Sequence, residues 1–167
     1  LTGPALQDQI PHNHCFGCGP DNSAGLRLKS HWNGSGPSRA RFLPQPHHCA
    51  GPTHFVNGGI LATLIDCHSV CTAAAAAYLA SGRPIGSTPH LHYATTSLTI
   101  AYARPTPLGA ELELFAEPVR GDGETYLVSC VLRADGKDCV RGTVTAVRVP
   151  ESWMHARPPL PDGARRL

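Results

Sequence analysis

The sequence predicts an α+β domain in which a curved antiparallel sheet wraps one long helix. Three observations lead there. A helical apolar run follows Asn57, with Ile60, Leu61, Leu64 and Ile65 leading into Cys71, the alanines 73–77 and Leu79. Two alternating segments precede it, and four follow, parted by short turn-forming sequences. One amphipathic helix cannot cover itself and has to lie on the sheet.

At 167 residues the chain fits one domain, long enough to bury a core without disulfide staples. A formal charge of +2 is too small to argue for nucleic acid or an acidic membrane surface. No apolar run of spanning length is expected, because Asp66 and His68 fall in the middle of the central helix. Seven cysteines, an odd number, favour free thiols and a reducing cytoplasm.

Residues 1–24 are rich in Pro, His, Asn and Gly and read as an irregular lead-in. Residues 26–32 and 38–43 alternate around the turn Asn33-Gly34-Ser35-Gly36-Pro37, as a hairpin does. A loop with Pro44, Pro46, Gly51 and Pro52 leads to the helix, which ends near Ser81-Gly82, and residues 82–92 form a second loop. Strands are expected at about 93–104, 110–120, 124–134 and 138–149, and the last two connections, Gly121-Asp122-Gly123 and Asp135-Gly136-Lys137, suit antiparallel hairpins. The domain proper spans 25–149, and the proline-rich residues 150–167 read as a surface tail.

The start of the helix carries the chemistry. Asn57 can cap it through its side-chain oxygen. Gly58 and Gly59 leave the first turn bare, with N–H groups that lack helical partners and a positive dipole end. The Gly59 N–H is a candidate donor to a developing oxyanion, beside the plainer reading of a tight turn. Asp66 stands two turns on. A carboxylate on an apolar helix face is costly unless it is paired or used, so Asp66 is the candidate general base or nucleophile.

Asn57-Gly58-Gly59 followed by Asp66 resembles the helix signature of PaaI-like hotdog-fold acyl-CoA thioesterases, which usually read His-Gly-Gly with an acid at that later position. The resemblance continues through Thr95 to Pro105, where the strand closes on Arg104-Pro105 and a glycine turn at Leu108-Gly109. The lead-in Cys15-Phe16-Gly17-Cys18-Gly19-Pro20 is similar to that of one branch of the family. Asn57 in place of histidine is the departure; an amide cannot shuttle protons. The resemblance implies a hotdog fold and hydrolysis of an acyl-CoA, with coenzyme A arriving as part of the substrate and no separate cofactor. It implies a homodimer or homotetramer, while the small net charge and the expected lack of a spanning run argue for no nucleic-acid or membrane partner. It places a water-holding hydroxyl at Thr95 or Thr96, of which only one can face Asp66, and we favour Thr95. It sets Gly58, Arg104 and Pro105 near the substrate, the Arg104 fork suiting the phosphates of coenzyme A.

Two rival readings come from the same residues. A non-catalytic acyl-CoA or small-ligand binder on this fold is the reading that Asn57 favours. A zinc-stabilised domain would use Cys15 and Cys18 with His12, His14 or the His47-His48-Cys49 cluster, but the second Cys-x-x-Cys or paired histidines of common zinc motifs are absent. Cys67 and His68 are helix neighbours about 100° apart, which argues against a nucleophile pair. Cys71, Cys130 and Cys139 read as small buried residues.

Overall fold

The computed structural model describes residues 3–155. Its elements are β1 (Lys29–His31), β2 (Ser38–Phe42), α1 (Gly58–Ala80), β3 (His92–Tyr102), β4 (Leu112–Gly121), β5 (Thr125–Ala134), β6 (Lys137–Val149) and α2 (Ser152–His155). Short 3-10 turns lie at Leu6–Gln9 and Pro46–His48. The six strands form one antiparallel sheet in the order β1-β2-β4-β5-β6-β3, and α1 packs across β3, β4, β5 and β6. This is the predicted arrangement of one helix held by a curved sheet. Most of the predicted tail, residues 156–167, lies outside the described residues.

The strands follow their alternation. In β5 the side chains of Tyr126, Val128, Cys130 and Leu132 are buried and meet the helix side of the sheet, with Leu112 and Leu114 of β4 and Val140 and Val144 of β6. Each fully buried Leu or Val contributes about 1.5–3 kcal/mol. Asp135 and Gly136 both have positive φ (51° and 71°) and join β5 to β6 by a two-residue turn, with Ala134 paired to Lys137. The first strand is shorter than the sequence indicates. Arg27 takes φ 55°, which breaks the extended run, and the N–H groups of Leu26 and Leu28 turn back to the carbonyls of Phe16 and Gly17.

Helix α1 runs for 23 residues, long and apolar enough by length and composition to cross a bilayer, which corrects the expectation that no run reaches that length. Here it is the core helix: Leu61, Leu64, Ile65, Cys71 and the alanines 73–77 are buried in the domain. A helix that is apolar on most sides needs more than a single sheet to cover it. The N-terminal lead-in supplies part of that cover, with Leu6, Gln7 and Cys18 buried beside it.

A buried polar chain ties these parts together. The Gln7 amide donates to Ser30 Oγ and accepts from Ser30 N–H, both at 2.8 Å. Ser30 Oγ meets His68 Nδ1 at 2.8 Å, and His68 Nε2 lies 3.3 Å from Ser38, whose hydroxyl also meets Thr72. The side-chain partners of His68, Ser30 and Ser38, are neutral and the ring is fully buried, so burial pushes its pKa down from 6.5 to about 4.

Two predictions follow from this packing. Gly142 of β6 lies under α1, and a Cβ there would stand 2.5 Å from Ile65 Cγ2. Gly142→Ala should cost about 1–3 kcal/mol in chemical denaturation, and combining it with Ile65→Ala should cost less than the sum of the two single losses. For His68, the unfolded ring binds a proton below 6.5 and the folded ring only near 4. Its contribution is therefore complete above pH 6.5 and is lost as pH falls toward 4, about 3 kcal/mol in all. Denaturation midpoints at pH 7.5 and pH 5 should differ less in His68→Asn than in the wild type.

Candidate active site

Asp66 sits on α1 where β3 crosses it. Its neighbours Ile65 and Cys67 are buried, and the carboxylate is half-buried. Thr95 of β3 donates its hydroxyl to Asp66 Oδ1 at 2.5 Å. Burial raises the Asp66 pKa above the usual carboxylate value, and the Thr95 hydrogen bond pulls against it. The carboxylate opens on a cavity of about 290 Å³, with Val70, Ala74, Leu91 and Tyr93 among its walls. A partly desolvated carboxylate at the mouth of a largely apolar cavity is the setting in which such a group gains basicity for proton transfer.

Thr95, favoured from the sequence, is the threonine that reaches Asp66. Its neighbour Thr96 is exposed and donates to the Thr145 carbonyl instead. A register shift between Thr95 and Ser97 marks a bulge at this point of the β3–β6 ladder, a common device for re-aiming a side chain.

The other candidates gather at the far end of the helix. Asn57 caps α1, its Oδ1 accepting from Gly59 N–H at 2.8 Å and Ile60 N–H at 3.3 Å. Tyr102, the last residue of β3, donates to the Gly58 carbonyl at 2.8 Å. Gly58, Tyr102, Arg104 and Pro105 border one shallow groove, in which Arg104 and Pro105 are exposed. Seven residues of helix separate Gly59 from Asp66, about 10 Å along the axis. The fold therefore does not bring the Gly59 N–H and the Asp66 carboxylate of one chain together, although the sequence, which sets Asp66 two turns on, offered both for one reaction.

The histidine cluster is occupied elsewhere. His48 Nδ1 accepts from the Gln45 N–H, and its ring stacks on Phe42. The sequence reading missed the thiols that meet the lead-in: Cys15, Cys18 and Cys67 place their sulfurs within 4.8 Å of one another. The i, i+4 spacing of Cys67 and Cys71 on one helix face was the available signal.

Comparison with known proteins agrees with this architecture. Residues 43–147 match the family model described as the acyl-CoA thioesterase N-terminal domain. Acyl-coenzyme A thioesterase THEM4 of Xenopus laevis is 30% identical over 106 residues, covering 64% of this chain, which spans only 41% of that relative's length. A thioesterase superfamily protein of Shewanella loihica PV-4 is 36% identical with a TM-score of 0.61, over 83% of this chain and 96% of its own. A Bacillus halodurans protein solved with CoA shares the fold at 24% identity and TM-score 0.53, over 66% of each chain. With the family model covering well over half of its length and the sheet wrapped around α1 as described, the chain belongs to the hotdog-fold acyl-CoA thioesterase family.

Proposed function

We propose that the chain hydrolyses an acyl-CoA to the free acid and coenzyme A, with Asp66 as the catalytic carboxylate. One observation carries this reading: Asp66 is half-buried at the mouth of an apolar cavity, with one oxygen fixed by Thr95. The acyl group lies in the cavity. Thr95 orients the carboxylate, and the other carboxylate oxygen takes a proton from water as that water attacks the thioester carbonyl. The tetrahedral intermediate then collapses, the C–S bond breaks, and the proton held by Asp66 leaves with the coenzyme A sulfur. Direct attack by Asp66 is the alternative route, through an acyl–aspartyl anhydride that water opens.

The oxyanion requires donors about 3 Å from the carbonyl oxygen. The Gly59 N–H of the same chain lies too far along the helix to serve its own Asp66. A second copy of the chain supplies it, so the working unit is a homodimer or a pair of dimers. Two features support that assembly. Among the described residues strand β3 is an outer edge of 11 residues with one side unpaired, and Leu98 and Tyr102 on it are exposed. Because Asn57 Oδ1 faces the helix end, its amide N–H groups are directed away from the cap and join Gly59 as donors. Arg104, exposed beside Gly58, holds the coenzyme A phosphates as a fork. The seven free cysteines support a reducing, cytoplasmic setting.

The second reading, an acyl-CoA binder without turnover, is favoured by one fact: the Gly59 N–H is already engaged by Asn57. Release of free thiol from a panel of acyl-CoAs separates the two. Wild type should turn over, and Asp66→Asn should lose about 100-fold or more in kcat at unchanged melting temperature. Equal turnover in the two proteins refutes the role of Asp66, and coenzyme A binding without thiol release establishes the binder. Arg104→Ala should raise KM with kcat nearly unchanged, since it removes binding shared by ground and transition states. Sedimentation should show no stable monomer.

A further inference from the structure

The N-terminal lead-in folds down on α1 at one place, and what meets there is sulfur. Cys15 and Cys18 come from the lead-in, Cys67 and Cys71 from one face of the helix. The Cys15 and Cys67 sulfurs are 3.6 Å apart. The sulfurs of Cys15, Cys18 and Cys67 all lie within 4.8 Å of one another, and Cys71 stands one helical turn beyond Cys67 and borders the same cavity. Cys18, Cys67 and Cys71 are 4%, 7% and 5% exposed.

We infer that the clustered thiols of Cys15, Cys18 and Cys67, with Cys71 turning in from the next helical turn as fourth ligand, form a tetrahedral site for one zinc-class divalent ion that pins the lead-in to the helix beside Asp66. The spacing fits. Zinc–sulfur bonds of about 2.3 Å place tetrahedral ligand sulfurs about 3.8 Å from one another. The 3.6 Å between Cys15 and Cys67 matches that edge, whereas a disulfide needs about 2.05 Å. Four thiolate ligands close the coordination shell, as structural zinc sites do, and soft sulfur selects zinc over calcium or magnesium. The two pairs, Cys-x-x-Cys in a turn and Cys-x-x-x-Cys on a helix, are each geometrically able to hold two ligands on one side.

The surroundings are shaped for the same contact. A Cβ at Gly17, between the two lead-in cysteines, would stand 2.3 Å from Cys67 Sγ, so only glycine lets the turn seat on the helix. The turn is held at its other side by Leu26 N–H to the Phe16 carbonyl at 2.7 Å and Gly19 N–H to the Cys15 carbonyl at 2.8 Å. Without an ion, four clustered thiols have only weak hydrogen bonds to offer one another. With one, each gives up its proton to solvent and the four sulfurs share a common partner. All four cysteines border the cavity on which Asp66 and Thr95 open, so the ion fixes one wall of it. The site stands independently of whether the chain cleaves thioesters.

The test is metal content of the full chain, purified without chelator from zinc-supplemented medium, followed by replacement with cobalt(II). Roughly one zinc per chain is expected. Cobalt(II) should give the visible and sulfur-to-metal absorption of tetrahedral thiolate coordination. Stripping the ion should lower the melting temperature by roughly 5 °C or more. Cys15→Ser, which alters the exposed ligand, should weaken metal retention at least tenfold, while the His47→Ala, His48→Ala double variant should keep the ion. The proposal fails if the wild type carries no metal and binds cobalt(II) without those bands, if mass mapping finds a Cys15–Cys67 disulfide, or if iron with acid-labile sulfide is bound instead. Loss of metal in the histidine variant, with Cys15→Ser unaffected, would move the ligands elsewhere and equally overturn it.

Discussion

The need to cover α1 governs the rest of this structure. A 23-residue helix whose buried side runs from Leu61 to Tyr78 has too much apolar circumference for one sheet face. The strands take one side, and the lead-in takes another. That division explains why a segment rich in Pro, His and Gly is packed: Leu6 and Cys18 lie against the core, and Gln7 enters a polar chain through Ser30 to His68. It also explains the environment of Asp66, which stands where the cover is incomplete and a cavity reaches the helix.

Local chemistry made most of the fold legible. The Asn57 cap, the Asp135-Gly136 turn and the alternation of the last three strands depend on residues close in sequence, and the structure has each of them. What was not legible depends on contacts between distant residues. The early end of the first strand follows from Arg27 adopting a left-handed conformation so that Leu26 and Leu28 can return to Phe16 and Gly17. Nothing in residues 26–32 alone announces that. His68 could be read only as a neighbour of Cys67, because its partners Ser30 and Ser38 lie 38 and 30 positions away.

The candidate site divides in the same way. Thr95 was identified beside Asp66, since strand alternation lets only one of two adjacent threonines face a given side and family resemblance marked the pair. Chemistry assigned Gly59 and Asp66 to one site although they stand two turns apart, and on a rigid helix those seven residues are a separation of about 10 Å. The cysteines show the converse error. Counting along the chain linked Cys15 and Cys18 to the next histidine cluster, while the fold passes over it and delivers them to a helix some 50 residues on. His48 had already been claimed by Gln45 and Phe42.

Strand β6 has a consequence for how the chain is made. It is the partner of both β5 and β3, pairing His92 with Val149 at one end of the ladder and Tyr102 with Val140 at the other. During synthesis β3 emerges long before β6, and among the described residues of the chain no other strand pairs with it. Until the chain has been made past residue 149, α1 has no complete floor beneath it and its apolar face stays open on that side. Closure of the domain thus waits on its last strand, and the nascent chain must be kept from pairing β3 with strangers in the meantime.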